Sequence, residues 1–415
     1  MKKLFWKVVS FSVFCFLLLI GESLGNQSGE KNKEGNEEKS LEPFAFADFS
    51  WLNGNNRQRH VPNLVESQYL KLDLYLDTYY DYSWNRPRDH TLIGSATMGR
   101  TNEFQVNLAS IECSVNYQNA IGRLALQFGT QLSVVQERDP TVNRGQNLRV
   151  SDLKYIREVA MGYHWDQWYG INFEVGIFPS YIGLESYLTQ ENWNYQRSLP
   201  SDFTPFYFQG ARVQIFPTRD LKIEPWLING FQTYGKFRED NSLGLSVYYR
   251  PAETLALAAN FYYGNDTNQN EAAKRLHHDN SVMVRYWDSS AHLITKAALS
   301  LNNHYGNEQG GGLSSSSNYF IGSAIANRIW FLQDRFAITL RGSFISNPGR
   351  YIVLPPGPEF RAWDYTATLD YMPSEVLTYR AEFISRFASS PFYAGADGTL
   401  ETSEARATLA ASFRM

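Results

Sequence analysis

From about residue 67 to the C-terminus the chain alternates apolar and polar residues in roughly sixteen short runs, joined by connections that are short and long in turn. In the first run Leu70, Leu72, Leu74 and Leu76 share one parity, while Lys71, Asp73, Asp77 and Asp81 share the other. In the last, Ala405, Ala407, Leu409, Ala411 and Phe413 keep the same period to within two residues of the end. A period of two places successive side chains on opposite faces of a strand. One face therefore suits lipid or core and the other suits water. A chain that does this along its whole length behind an export signal is expected to be all-β, a transmembrane antiparallel β-barrel of the bacterial outer membrane with a wet interior.

The export signal is expected in residues 1–25, where Lys2, Lys3 and Lys7 precede an apolar stretch from Val8 to Ile20 and a small, polar segment ending at Gly25. Cys15 lies inside that stretch behind bulky Phe14, which argues against lipidation. Beyond it no run of eighteen apolar residues occurs, so spanning helices are excluded. Aromatics are 15% of residues and the net charge is −4; the first suits the aromatic girdles of a barrel, and the second offers nucleic acid no basic surface. Residues 26–43 are charged and without aromatics, as expected of a disordered periplasmic tether. Residues 44–66 bring Phe44, Phe46, Phe49, Trp51 and Leu52, too much apolar area to stay loose, and should pack on the periplasmic rim or in the lumen. Cys113 is the one cysteine after the signal and reads as a small apolar strand residue, so no disulfide framework exists.

Strands are expected near 67–82, 102–117, 120–134, 153–165, 169–178, 205–216, 220–233, 242–250, 254–263, 280–288, 291–302, 317–330, 334–346, 360–371, 376–388 and 402–415, the barrel spanning 67–415. Loop lengths test this independently. Every even-to-odd link is tight and carries a turn former, as at Gln118–Asn119, Asp166 and Pro217, while odd-to-even links are longer and rich in Asn, Gly and Asp. Short periplasmic turns and long external loops give that alternation, and a soluble β-sandwich has no reason to.

One loop stands apart. Residues 179–204 look like the longest external connection and carry Tyr181, Leu184, Tyr187, Leu188, Trp193 and Tyr195. So much apolar area should fold into the barrel and narrow it, presenting Glu185, Glu191, Arg197 and Asp202 at a pore constriction. The inward parity of the strands adds a basic wall of Lys71, Arg123, Arg328, Arg335, Arg341, Arg380, Arg386 and Arg406. Two arrangements are open: acid facing guanidinium across a water-filled neck, or arginines paired with Asp364, Asp370, Glu382 and Glu404 on adjacent strands.

Enzyme chemistry is absent from the pattern. His277 and His278 sit side by side in what reads as a polar loop, with no third ligand at zinc-site spacing. Gly310–Gly312 and Ser314–Ser317 form a flexible tip without the Lys and helix of a phosphate cradle. No catalytic residue, cofactor or metal is expected.

The segment FPSYIGLESYLTQENWNYQRSLPSDFTPFY from Phe178 resembles the β-barrel porin family described as OmpL-like or porin-2, as do DTYYDYSWNRP from Asp77, NEFQVNLASIE from Asn102 and GRLALQFGT from Gly122. The likeness runs from about residue 70 to 415 and is sharpest before Gly235. It implies an outer-membrane, pore-forming protein and carries over no binding residues. The expected function is a passive diffusion channel for small hydrophilic solutes or ions; the alternative is an adhesin-like barrel with a closed lumen. The expected partners are outer-membrane lipid, the barrel assembly machinery through the C-terminal strand bearing Phe413, and small solutes, with a homotrimer compatible with the pattern.

Overall fold

In the computed structural model the described residues are 43–44, 64–139, 147–236, 239–264, 272–349, 351–352 and 359–415. The expected signal peptide and tether, and most of the segment before the barrel, lie outside them.

Sixteen antiparallel strands form the wall. They are β1 (Leu70–Ser83), β2 (Glu103–Tyr117), β3 (Ala120–Phe128), β4 (Ile156–Trp165), β5 (Ile171–Pro179), β6 (Tyr207–Thr218), β7 (Leu221–Ile228) and β8 (Ser242–Ala252). The second half comprises β9 (Leu255–Gly264), β10 (Lys274–Asp288), β11 (Ile294–Gln309), β12 (Tyr319–Phe331), β13 (Phe336–Asn347), β14 (Phe360–Ser374), β15 (Leu377–Ala388) and β16 (Ser403–Arg414). Each strand pairs with the next, and β16 returns to β1 with Arg406 opposite Ser83 and Phe413 opposite Leu76. Closure matters because hydrocarbon offers no hydrogen bonds, and each exposed backbone group at a free edge would cost several kcal/mol.

The parity holds on both sides of the closing seam. Leu76, Leu409 and Leu340 are 40%, 63% and 60% exposed, whereas Asp77, Asp81, Arg406 and Thr408 are buried on the inner face. Stacked aromatics collect at the short-turn rim, where Phe331, Phe336, Tyr371 and Tyr379 form a continuous outward row with centroids 5.7, 4.9 and 6.2 Å apart. At the long-loop rim Tyr80 meets Phe104 at 4.7 Å and Trp84 meets Phe383 at 5.9 Å. These are the two girdles expected where hydrocarbon gives way to water.

The short turns are as tight as the alternation requires. Gln118 and Asn119 both take positive φ, 48° and 65°, the two-residue turn whose twist suits a hairpin. The β12–β13 turn is longer, with Leu332, Gln333 and Asp334 all at positive φ and Asp334 held to Lys296 at 2.6 Å. That turn takes Arg335 off the strand and leaves it exposed, although its parity is inward.

The strands expected to end at 233 and 302 end at Ile228 and Gln309, and two further boundaries depart from expectation in ways that matter for the lumen. After β3 the chain turns into a short helix, α1 (Gln131–Val134), followed in the same connection by α2 (Val150–Leu153). The link from β3 to β4 is therefore as long as the 179–204 connection. The alternation of Leu132 and Val134 mimics a strand, but Gly129 at φ 131° ends the ladder, and a Cβ there would lie 2.3 Å from the Asn107 carbonyl oxygen. Leu132, Val134, Val135 and Val150 instead pack with Tyr187, Leu188 and Tyr207. The other departure is at β10, which starts six residues earlier than expected, so His277 and His278 lie in a strand and not in a loop.

Gly129→Val is expected to destabilise the folded barrel by about 1–3 kcal/mol, through strained backbone and the clash with Asn107. Urea unfolding in detergent, followed by heat-modifiable migration, measures this; a midpoint equal to wild type would contradict the assignment.

Candidate functional site: the lumen hairpin and its arginine wall

Leaving the external end of β5, the chain does not stay outside. Every residue from Glu191 to Pro200 is buried, and so are Tyr187, Leu188 and Thr189. The hairpin descends along the inner face until Gln190 donates to the Val376 carbonyl in the β14–β15 short turn, then climbs again to α3 (Leu199–Asp202). There the Leu199 amide donates to Ser343 Oγ at 3.1 Å, and Pro200 packs against the β12 backbone at Gly322.

Its path follows the guanidiniums. At the lowest point Arg380 donates to the Thr189 and Asn192 carbonyls at 3.0 and 2.8 Å while pairing with Asp370 at 2.5 Å. Arg328 pairs with the same Asp370 at 2.6 Å and donates to the Trp193 carbonyl at 3.0 Å. Higher up, Arg341 reaches Glu185 at 2.9 Å and the Gln196 carbonyl at 2.7 Å. Near the mouth Arg386 reaches Asp202 at 3.3 Å and the Gly94 carbonyl at 2.9 Å. Arg406 spans Glu404 at 3.0 Å, Asp81 at 3.6 Å and Gln196 Oε1 at 3.1 Å.

Carboxylates complete the clasp. Glu382 accepts the backbone N–H groups of Tyr195 and Gln196 at 2.7 and 2.8 Å, and Asp77 accepts from Thr189, Tyr195 and Asn107. Backbone groups that leave a ladder must be paired when buried, and these side chains do that for an irregular segment at membrane depth. Arginine suits the task because one planar fork can hold a carboxylate and a carbonyl together.

Three of the four expected constriction residues contact the wall, and the fourth, Arg197, is held within the hairpin and by the Ala96 carbonyl of the β1–β2 connection. Glu185 meets Arg341, Glu191 meets Arg414, Asp202 meets Arg386, and Arg197 lies 3.7 Å from Asp202 with its guanidinium over Phe206 at 4.3 Å. Burial pushes the Asp202 carboxyl up from the usual range, while Arg386 and Arg197 hold it back. Acid and guanidinium touch, so these groups do not face one another across an open neck; the hairpin's own carboxylates take Arg341, Arg386 and Arg414, and the expected pairing between adjacent strands is seen at Arg380–Asp370.

Of the eight wall residues, Arg328, Arg341, Arg380, Arg386 and Arg406 line the hairpin's bed. Lys71 sits at the start of β1, exposed and paired with Glu66 at 2.9 Å, because the two residues Val65–Glu66 fold back beside β1. Arg335, in its turn, belongs to the rim. Arg123 faces inward on the other wall, 2.9 Å from Glu158 and 3.7 Å from Glu112, with its side chain 35% exposed. Close to it are Arg157–Glu112 at 2.7 Å, Arg212–Glu174 at 2.8 Å and Lys222–Glu224 at 3.2 Å. Sequence reasoning missed Arg414, which parity alone could have added, since it continues Arg406 on β16. It also missed Asp77 and Glu382 as hairpin ligands, which no local pattern reveals.

Phe44 is buried at the β6–β7 turn, its amide donating to the Arg219 carbonyl at 2.5 Å and its ring edge-on to Phe216 and Tyr248 at 6.1 and 5.4 Å. Behind the hairpin a cavity of about 20 Å³, lined by Leu184, Trp193, Asn302 and Arg341 among others, has room for a single water molecule.

The sequence of residues 69–415 matches the family described as putative beta-barrel porin-2, OmpL-like. The chain belongs to this family. This porin also resembles solved outer-membrane channels in fold. DcaP of Acinetobacter baumannii superposes with a TM-score of 0.55 at 10% identity, over 86% of this chain and 100% of that one. An anion-selective porin from Comamonas acidovorans gives 0.53 at 9% identity over 83% and 99%, and OprB of Pseudomonas putida gives 0.52 at 9% over 83% and 93%. No curated protein sequence matches the chain. Family and fold place the protein in the bacterial outer membrane as a porin, and they point to a channel in place of an enzyme.

Asp370 is the residue on which the deep end of the hairpin most depends. Asp370→Ala leaves Arg328 and Arg380 buried against each other and is expected to destabilise the barrel by about 3–5 kcal/mol. Limited proteolysis should then cut within 188–196, where wild type resists; unchanged resistance and stability would show that the hairpin is held by other contacts.

Proposed function

We propose that this porin is a passive diffusion channel for small hydrophilic solutes or ions, in which the 179–204 hairpin sets the width of the passage. The supporting observation is the burial of the whole hairpin from Glu191 to Pro200 against the β12–β16 side, which leaves the partly exposed Arg123 side chain on the opposite wall. Solutes pass on that second side, past Arg123, whose guanidinium is held by the buried Glu158 and Glu112. A paired but partly exposed charge there orders polar solutes and strips little of their hydration. Residues 1–25 direct export, and Phe44 packs at the periplasmic rim beside the β6–β7 turn. The strand bearing Phe413 is presented to the assembly machinery.

We also propose that the barrel forms a homotrimer through β10–β12. His278, Asn280, Asn303, Ser323 and Asn327 have the outward parity on these strands, and Asn280, Asn303 and Ser323 stand directly opposite one another in register. Ser323 Oγ donates to Asn303 Oδ1 at 2.8 Å. Carboxamides at mid-strand are costly against lipid and suit a face covered by another subunit.

Planar-bilayer recording tests the channel. Wild type should give discrete conductance steps, and deletion of residues 184–200 should enlarge them several-fold; silence from both proteins would favour the closed, surface-binding barrel. Arg123→Glu should shift the reversal potential in a salt gradient toward cations, and an unmoved potential would put the passage elsewhere. For assembly, light scattering in mild detergent should report three chains for wild type and one for the Asn280→Leu, Asn303→Leu, Ser323→Leu variant; a monomeric wild type overturns the interface.

A further inference from the structure

The early start of β10 places three ligand-type side chains together on the lumen wall, apart from the hairpin's arginine bed. His277 and Asp279 share the inner face of β10, and His304 stands opposite Asp279 on β11. All three are buried, and one ligand atom from each lies within 4.8 Å of the others. His277 Nε2 and His304 Nδ1 face each other at 3.1 Å.

The hydrogen bonds around the cluster show which nitrogen carries a lone pair. Asn302 Nδ2 donates to the Asn280 carbonyl at 3.0 Å, which turns its Oδ1 toward His304 Nε2 at 2.6 Å. His304 therefore donates from Nε2, and Nδ1 presents its lone pair inward. On the other side His277 Nδ1 lies 2.8 Å from the Tyr351 hydroxyl. Without an ion His277 Nε2 donates to His304 Nδ1; with an ion bound, the proton sits on His277 Nδ1 and the Tyr351 hydroxyl accepts it, which frees Nε2 for the ion. An outer partner on the second nitrogen of each imidazole is the usual support of metal-binding histidines.

Asp279 supplies the second sign. It is fully buried, with Oδ2 accepting from Asn260 Nδ2 at 2.9 Å. Its Oδ1 accepts no well-formed hydrogen bond, although the Gly183 amide and the Asn302 side chain lie nearby. A buried carboxylate oxygen left in that state beside two imidazole nitrogens is the arrangement a cation would complete.

We propose that His277, Asp279 and His304 bind one divalent transition-metal ion of the zinc class on the external half of the lumen wall. Two nitrogens and one oxygen select Zn2+, Ni2+, Co2+ or Cu2+ over Ca2+ and Mg2+, which take oxygen ligands. Bonds of about 2.1 Å in a tetrahedral site put ligand atoms about 3.4 Å apart, so the two imidazoles, 3.1 Å apart, need only a few tenths of an ångström of adjustment, and the Asp279 carboxylate, within 4.8 Å, closes in by an ångström or so at most. The fourth position is left to water. Because Gly183 passes over His304, with a Cβ there only 3.7 Å from His304 Cε1, the ion would clip the root of the hairpin to β10 and β11. His278 takes no part: its ring stacks on Phe261 at 4.4 Å, and its Nδ1 is 2.9 Å from the Asn260 carbonyl.

The experiment uses untagged full-length barrel folded in detergent, stripped with chelator and titrated with Co2+ and with Zn2+. One Co2+ per chain should give visible d–d absorption of a low-coordinate nitrogen and oxygen site, and Zn2+ should displace it. Asp279→Asn, which keeps the side chain's shape, and His304→Ala should each weaken binding at least tenfold, while His278→Gln leaves it unchanged. Heat-modifiable migration of each variant separates loss of the site from loss of the fold. Zn2+ should also raise the unfolding temperature of wild type and not of Asp279→Asn. Absence of a stoichiometric site in wild type, or equal affinity in the folded Asp279→Asn and His304→Ala variants, overturns the proposal.

Discussion

The structure depends on the rule that no backbone polar group goes unpaired where water is scarce. In the wall the rule is met by closure, with β16 returning to β1 in register from Arg406 to Arg414. Inside the wall the same rule governs the hairpin, whose backbone has no ladder. Its N–H and C=O groups are taken up by side chains: Glu382 accepts two amides, and Arg380, Arg328 and Arg341 donate to carbonyls. Charged residues here replace secondary structure. This explains why arginine and carboxylate are concentrated on β12–β16 and β1, and why they are buried without being orphaned as a group.

The clasp also bears on what the lumen offers a solute. A charge paired at hydrogen-bond distance with its opposite projects little field, so the hairpin bed contributes shape more than selectivity. The opposite wall is also paired, but Arg123 keeps a third of its side chain exposed and has two acidic neighbours. In the proposed passage, selectivity would rest on small imbalances among a few exposed groups. The likeness to channels as distant as the Comamonas acidovorans porin concerns the fold, and the wall residues are this chain's own.

How much of this the sequence showed can be followed strand by strand. The runs at 70–83 and 403–414 were legible because the period of two is local and the outward side must be oily. Where that demand relaxed, legibility failed. The outward face of β10 carries His278 and Asn280, so the alternation faded and the strand's first residues looked like a loop. The opposite error occurred after Phe128, where Leu132 and Val134 alternate but belong to α1, since Gly129 had already turned the chain out of the ladder. Arg335 had the correct parity and the wrong place, because parity does not say where a turn begins.

The sequence by itself determined that the chain is a barrel of about sixteen strands, which face each strand turns to lipid, and that the 179–204 loop is too apolar for water. These follow from a two-residue period and from loop composition, both local quantities. Only the tertiary structure decided that Glu185, Glu191 and Asp202 lie against Arg341, Arg414 and Arg386, that Asp77 and Glu382 hold the hairpin, and that His277, Asp279 and His304 converge. Those partners are separated by up to 223 residues, and they are brought together by the curvature and register of a closed wall, which no window of the sequence contains.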